Sequence, residues 1–433
     1  MIVNIIGAGL AGSETAYQLA KRGINVNLYE MRPKKMTDAH QTGLFAELVC
    51  SNSLRSTDIL NAVGLLKVEM EQLDSLIIKA AKHARLPAGG SLAVDRTKFS
   101  MFIEKELTSF ENINVIREEF TTINPNEYTV IAAGPLVSSA LFNNIQQLIG
   151  DQKLHFFDAI APIISKESIN MDICYKKNRY DKGEAAYINC PMTKEEYEHF
   201  YNELINAKVV TPKDFENNVF EGCMPVEVMA KRGFQTLTFG PLKPVGLEKE
   251  DGSLPYAVVQ LRQDDAANSM YNIVGFQTSL TWGEQKRIIS LIPGLENAEI
   301  IRYGVIHRNS YIESPNILNN SFQVIKEPKI FFAGQISGVE GYVESAASGL
   351  NVALQIASLF KQNKLAPLPH TTMLGAMARY ISTPNKSFVP MNANFGIIKE
   401  LDFKHKKKER KQHYVDRALK DLKKYMDDNN ELF

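Results

Sequence analysis

The chain has 433 residues, with 49 lysines and arginines against 49 aspartates and glutamates, so its formal charge at pH 7 is zero. That length exceeds one ordinary core and implies two or three domains, and the neutral balance excludes polyanion binding through the surface as a whole. At 44% apolar and 23% charged residues the composition is that of a soluble globular protein, and no apolar run approaches the length that spans a bilayer.

The first thirty residues organise the rest. Residues 2–6 form a short, β-branched apolar run that reads as a buried parallel strand. It leads into Gly7, Ala8, Gly9, Leu10, Ala11 and Gly12, a G-x-G-x-x-G turn. A helical pattern through Ala16, Leu19 and Ala20 follows, then a second strand over 24–29 that ends in Glu30. In such a unit the first glycine makes the turn, the second clears the path of a pyrophosphate and the third lets helix and sheet pack closely. The helix start offers amide hydrogens and a positive dipole end to phosphates. An acid 23 positions after Gly7 accepts from ribose hydroxyls and disfavours a 2′-phosphate, which points to FAD or NAD as the resident nucleotide.

Beyond Glu30, the apolar run 45–49 closes on Cys50 and the polar stretch 51–55, expected to form a loop at the mouth of a site. Leu65, Leu66, Met70, Leu73, Ile77 and Ala81 predict one long helix. Another helix runs through Phe99, Phe102, Ile103 and Leu107. Strands over 113–116 and 128–131 follow, and the second reaches Gly134, where the chain is expected to return to the FAD phosphates. From 151 to 310 the alternation breaks into extended segments and surface helices, an inserted α+β domain holding Cys223 and the only tryptophan, Trp282. At 330–334 an apolar strand again ends in glycine. Gln335, Gly338 and Gly341 lead into a helix from Tyr342 to Phe360, whose start would face the flavin pyrimidine and whose preceding Gln335 would bond a ribityl hydroxyl.

The predicted fold is α/β, with a Rossmann-like FAD-binding domain of the two-dinucleotide-binding flavoprotein type, formed by 1–150 and 311–433 and interrupted by the 151–310 insertion. Residues 371–433 are expected to be a helical, basic extension packed outside the core. Within it Val415, Leu419, Leu422 and Met426 make an apolar stripe. The lysines and arginines around that stripe read equally as a solvated face or as a landing surface for RNA phosphates. Cys50, Cys174, Cys190 and Cys223 match neither a disulfide ladder nor a zinc spacing, so no metal is expected and reduced thiols in the cytoplasm are the plain reading. The chain begins on a strand pattern rather than a signal peptide.

The stretches GAGLAGSE (7–14), LYEMRP (28–33), FAELVCSNSLRS (45–56), FEGCMP (220–225), RYGVIHRN (302–309) and GVEGYVESAASG (338–349) closely resemble the folate- and flavin-dependent RNA uracil-5-methyltransferases of the TrmFO, or small Gid, type. The resemblance covers essentially the whole chain and diverges most after Gly396. It implies FAD reduced by NAD(P)H, 5,10-methylenetetrahydrofolate as one-carbon donor, and a uridine converted to 5-methyluridine, usually in the T-loop of tRNA. It also implies Cys223 as the nucleophile that adds to carbon 6 of uracil and Cys50 as a supporting catalytic thiol. Folate needs a flat partner for its pterin and cations for its tail; Tyr342 and Trp282, with Arg308, Arg55 and Arg96, are the candidates. Two alternatives stay open: the same chemistry on a uridine of 23S rRNA, and an NADH-dependent flavoprotein oxidoreductase with no RNA substrate.

Overall fold

Four of the five residues of the strand Ile2–Ile6 are buried, as expected of a strand covered on both faces. In the computed structural model it lies at the centre of a five-stranded parallel sheet. Asn25–Tyr29 pairs on one side with Ile113–Ile116 beyond it, and Thr129–Ile131 pairs on the other with Ile330–Phe332 beyond. In such doubly wound sheets the crevice for a ligand opens at the C-terminal ends of the strands, where the winding changes direction. The structure describes all residues except 1, 38, 151–153, 182–185, 211–223 and 386–387, and for 154–159, 181 and 306–308 only the backbone.

The helices Leu10–Lys21 and Tyr342–Gln362 pack side by side over this sheet, pinned where the Thr15 hydroxyl donates to the Gly349 carbonyl at 3.0 Å. The long helix expected through Leu65 to Ala81 is instead two, Ala62–Gln72 and Leu76–His83. Asp74 takes a left-handed conformation (φ 62°), and the Ser75 hydroxyl caps the second helix by accepting from Ile78 N at 3.3 Å. Buried Glu14 then accepts from Ile77 N at 2.9 Å and from the Ser75 hydroxyl at 2.8 Å. Its oxygens satisfy amide hydrogens that the helix start leaves without an intrahelical partner, and so hold the break in place.

The inserted unit has its own six-stranded antiparallel sheet, running from Tyr175–Lys176 at one edge through Tyr187–Met192, Ala257–Gln263, Met270–Ile273 and Ile163–Ser165 to Ile300–Arg302. The helix Lys194–Asn206 begins in a Thr193/Glu196 capping box and lays Tyr197, Phe200 and Leu204 into a second core. The chain enters and leaves this unit through two paired antiparallel strands, Leu154–Ala159 and Ile306–Tyr311. The last long helix, Arg410–Asp428, buries Tyr414, Val415, Ala418, Leu422 and Tyr425. These side chains belong to the main core, so the expectation of a helix outside the core is corrected. Of the expected stripe Val415 and Leu422 are buried and Leu419 and Met426 are partly buried against the core; Tyr414, Ala418 and Tyr425 complete the seat.

Candidate active site

The glycine turn and the neighbouring strand ends line an open cleft. Gly7, Gly9, Glu30, Gly134, Gly334 and Tyr342 line it, with Leu10, Ala11 and Gln335. Ala8, Gly12, Gly338 and Gly341 are not part of that lining. Gly7 has φ 99°, and a Cβ there would sit 2.7 Å from the Ala132 carbonyl oxygen; one at Gly12 would sit 1.8 Å from the Gly7 oxygen. A Cβ at Gly9 would meet nothing within 4 Å, so nothing within the protein demands glycine there. The helix that starts at Leu10 has no side-chain cap and no acid in its first turn, which leaves its N-terminus to an anion. Two glycines that close the turn and one that keeps its outer face bare fit a dinucleotide such as FAD.

Glu30 sits in the cleft wall, yet both its oxygens are engaged. Oε1 accepts from Arg32 N at 3.0 Å and Arg32 Nε at 2.9 Å; Oε2 accepts from Ala8 N at 3.1 Å and Arg32 Nη2 at 3.2 Å. Burial alone would raise this carboxyl, but the Arg32 hydrogen bonds and charge, with the Ala8 amide, hold it below its usual value. Arg32 also donates to Glu47 at 3.1 Å. The LYEMRP stretch carries Arg32 in plain view; what it does not carry is that the arginine folds back on the acid two residues earlier. The Gln335 amide, assigned to a ribityl hydroxyl, donates to Glu340 at 2.6 Å.

Cys50 is half-buried and in no disulfide. Its backbone N–H donates to the Tyr342 hydroxyl at 2.7 Å, and Ser51 N donates to the same oxygen at 3.3 Å. Burial, with the Cys50 thiol beside it, raises the Tyr342 phenol well above its usual value, so it stays protonated at neutral pH. Three arginines grip the rest of this loop. Arg96 donates to the Leu48 and Cys50 carbonyls while forking onto Asp264 at 3.1–3.3 Å. Arg262 donates to Asn52 Oδ1 at 2.9 Å and Ser51 Oγ at 2.7 Å, and Arg302 to the Val49 carbonyl at 2.9 Å. Asp264, Arg262 and Arg302 all come from the inserted unit, so that unit sets the position of a cysteine belonging to the nucleotide fold.

Of the expected folate residues whose side chains are described, Tyr342 alone lines the cleft. Trp282 is 65% exposed on the inserted unit, stacked on Tyr303 with ring centres 5.3 Å apart, and is not among the lining residues. Arg308 lies in the connecting strand opposite Phe157, its side chain not described, and Cys223 falls outside the described residues. Arg55 pairs with buried Glu344 at the start of the Tyr342 helix, and Arg96 with Asp264. Both arginines thus hold structure together. Among the described residues no three His, Cys, Asp or Glu side chains cluster to hold a metal, and no helix is long and apolar enough to cross a membrane.

The architecture matches the solved structure of Aquifex aeolicus GidA with a TM-score of 0.70 at 15% identity, over 100% of this chain and 73% of that one. The family model for Glucose inhibited division protein A matches residues 2–364. The chain is 63% identical over 426 residues to the methylenetetrahydrofolate–tRNA-(uracil-5-)-methyltransferase TrmFO of Acholeplasma laidlawii, covering 98% of this chain and 99% of that protein. The chain belongs to the TrmFO family. The Bacillus subtilis TrmFO is 58% identical over 97% of both chains. At that identity throughout, the TrmFO match spans both the nucleotide fold and the inserted unit that grips the Cys50 loop.

Proposed function

We propose that the chain forms 5-methyluridine in tRNA, using 5,10-methylenetetrahydrofolate as carbon donor, FAD as resident cofactor and NAD(P)H as reductant, in the cytoplasm. The observation that carries this reading is the 63% identity, end to end, to a protein whose name states that activity. Bound in the cleft, FAD would supply the two-electron reduction that takes the transferred carbon to the methyl level.

The chain's own residues divide the remaining work. Gly7, Gly9 and the helix start at Leu10 would hold the pyrophosphate. The start of the Tyr342–Gln362 helix would favour negative charge on a flavin bound beside it. Tyr342, kept neutral, ties the Cys50 loop to that same helix end, and the inserted unit holds that loop through Arg262 and Arg302. Carbon 5 of uracil is a weak nucleophile until a thiolate adds at carbon 6. The Cys223 sulfur forms that bond and carbon 5 attacks the one-carbon unit; loss of the carbon-5 proton then releases the donor's amine and leaves an exocyclic methylene on the ring, and the two-electron reduction that FAD would supply takes it to methyl as the thiolate leaves carbon 6.

Purified protein supplied with FAD, NADPH, methylenetetrahydrofolate and a tRNA transcript is expected to yield 5-methyluridine in the T-loop by mass spectrometry, and Cys223→Ala to yield none. A covalent adduct with 5-fluorouracil-containing tRNA is expected for the unaltered chain. Absence of methylation on tRNA, with methylation of an rRNA fragment instead, would move the reading to rRNA; flavin oxidation with neither RNA modified would leave an oxidoreductase.

A further inference from the structure

Residues 404–424 hold ten lysines and arginines against three acids, so the remainder of this net-neutral chain carries a net charge of −7. The charge is not merely uneven; it is placed. Lys404, Lys406, Lys407, Lys408, Arg410 and Lys411 are all exposed. Among the described residues only Lys406 of these six has an acid within reach, Glu409 at 4.0 Å. Because Tyr414, Val415, Ala418 and Leu422 are buried in the main core, the helix that carries Arg410 and Lys411 is held in place, and Lys404, Lys406, Lys407 and Lys408 lead directly into its start.

Contacts at both ends show where it points. Ala393 N donates to Glu344 at 2.8 Å, and Asn392 donates to the Glu340 carbonyl at 2.6 Å, so residues 392–393 lie at the start of the helix that opens on the cleft. Two residues on, Phe395 stacks on Tyr414, ring centres 5.7 Å apart, in the first turns of the C-terminal helix. At the far end Lys361 donates to the Glu431 carbonyl and Arg22 to that of Leu432, both at 2.6 Å. The Arg410–Asp428 helix therefore runs alongside Tyr342–Gln362 in the same direction, and its most basic end shares the cleft's end of the molecule.

We propose that residues 404–424 form the phosphate-binding surface on which a structured RNA docks beside the cleft. This rests on the reading of the chain as a tRNA-modifying enzyme. At 1.5 Å per residue the helical part of that surface, 410–424, offers a track of about 22 Å. The apolar stripe faces inward, which leaves no hydrophobic face for a membrane. Phe403 is 49% exposed and meets the rings of His405 and His413 at 5.9 and 5.2 Å, aromatics interleaved with cations as in surfaces that hold RNA backbone and unstacked bases.

The test is a fourfold variant, Lys406→Gln, Lys407→Gln, Lys408→Gln and Lys411→Gln, in the full chain, with binding to a tRNA transcript measured from low to high salt. A control neutralises four exposed lysines elsewhere, Lys98, Lys105, Lys249 and Lys326. Every lysine–phosphate pairing removed should flatten the slope of log K against log salt by roughly 0.9. The fourfold variant is expected to bind at least about tenfold more weakly at low salt, with a slope flatter by about 2 to 4, while the control keeps slope and affinity. Melting curves of both variants certify the fold. Equal binding by the fourfold variant and the unaltered chain, or equal weakening in the control, would overturn the docking surface while 5-methyluridine formation still stood. An unaltered chain that neither binds nor methylates tRNA would remove both readings.

Discussion

Gly9 and Gly12 separate what a glycine does for packing from what it does for a ligand. A Cβ at Gly12 would collide with the Gly7 carbonyl oxygen at 1.8 Å, backbone against backbone, whereas one at Gly9 meets nothing. Gly12→Ala is expected to cost about 3 kcal/mol of stability or more, read by urea denaturation, and to abolish flavin retention with it. Gly9→Ala should leave the flavin-free chain within about 0.5 kcal/mol of the parent while lowering bound flavin, read as visible absorbance per protein. A Gly9→Ala chain that keeps its flavin would show that the open space there is not the phosphate path. Glu69 gives a residue-scale expectation in pH. Fully buried, it accepts from Met373 N and Leu374 N at 2.8 and 2.9 Å, and burial pushes its carboxyl up to about 8. Between the unfolded value of 4.5 and about 8 the folded chain holds a proton that the unfolded chain has released. Its contribution is full below pH 4.5 and is lost as pH rises through 8, with a limiting slope of about 1.4 kcal/mol per pH unit. Urea melts at pH 5, 6, 7 and 8 should show a flatter decline in Glu69→Gln than in the parent; identical slopes would mean Glu69 is ionised when folded.

Among the elements, the loop from Leu48 to Asn52 matters most, because its shape is set from outside. Buried Arg262 reaches Ser51 and Asn52. Truncating it leaves those acceptors without their cation, a loss of about 2–3 kcal/mol at the loop. Arg262→Ala should therefore speed alkylation of Cys50 by iodoacetamide about tenfold, followed by peptide mass spectrometry, and lower methylation turnover more than flavin content. Unchanged Cys50 labelling would mean the loop keeps its shape without the arginine. This clamp also marks the limit of what the sequence reveals. The glycine turn, Glu30 and the second nucleotide strand are written in spacings of a few residues, and the fold class follows from them. The inserted-unit arginines that hold the Cys50 loop lie about 210 to 250 residues away, a separation over which no periodicity carries information. The break at Asp74 is hidden for the same reason, since Glu14 holds the new helix start from 63 residues upstream. Trp282 shows another limit: an aromatic residue suits a pterin, but its type says nothing of position, and it stands exposed on the inserted unit, stacked on Tyr303.

Across the whole molecule, charge and hydrophobic anchoring coincide in the C-terminal helix. One face adds Tyr414, Val415, Ala418, Leu422 and Tyr425 to the main core, and the other continues the basic run that Lys404, Lys406, Lys407 and Lys408 begin just ahead of the helix. At roughly 1.5–3 kcal/mol for each large buried side chain, the inward face contributes on the order of 10 kcal/mol, comparable with the whole stability of a typical domain. The two faces are thus unequal under deletion. A chain ending at residue 403 would lose the basic surface, but it would also uncover the cores of the Ala62–Gln72 and Tyr342–Gln362 helices, against which this segment packs. Such a truncation is expected to be largely insoluble, or to lose near-ultraviolet circular dichroism and a cooperative melt, whereas the fourfold lysine variant keeps both. A truncated chain that stays soluble, melts cooperatively and retains flavin would show that the helix is an appendage whose inward stripe adds little. Lost RNA binding in that same chain would then locate the docking surface by a second route.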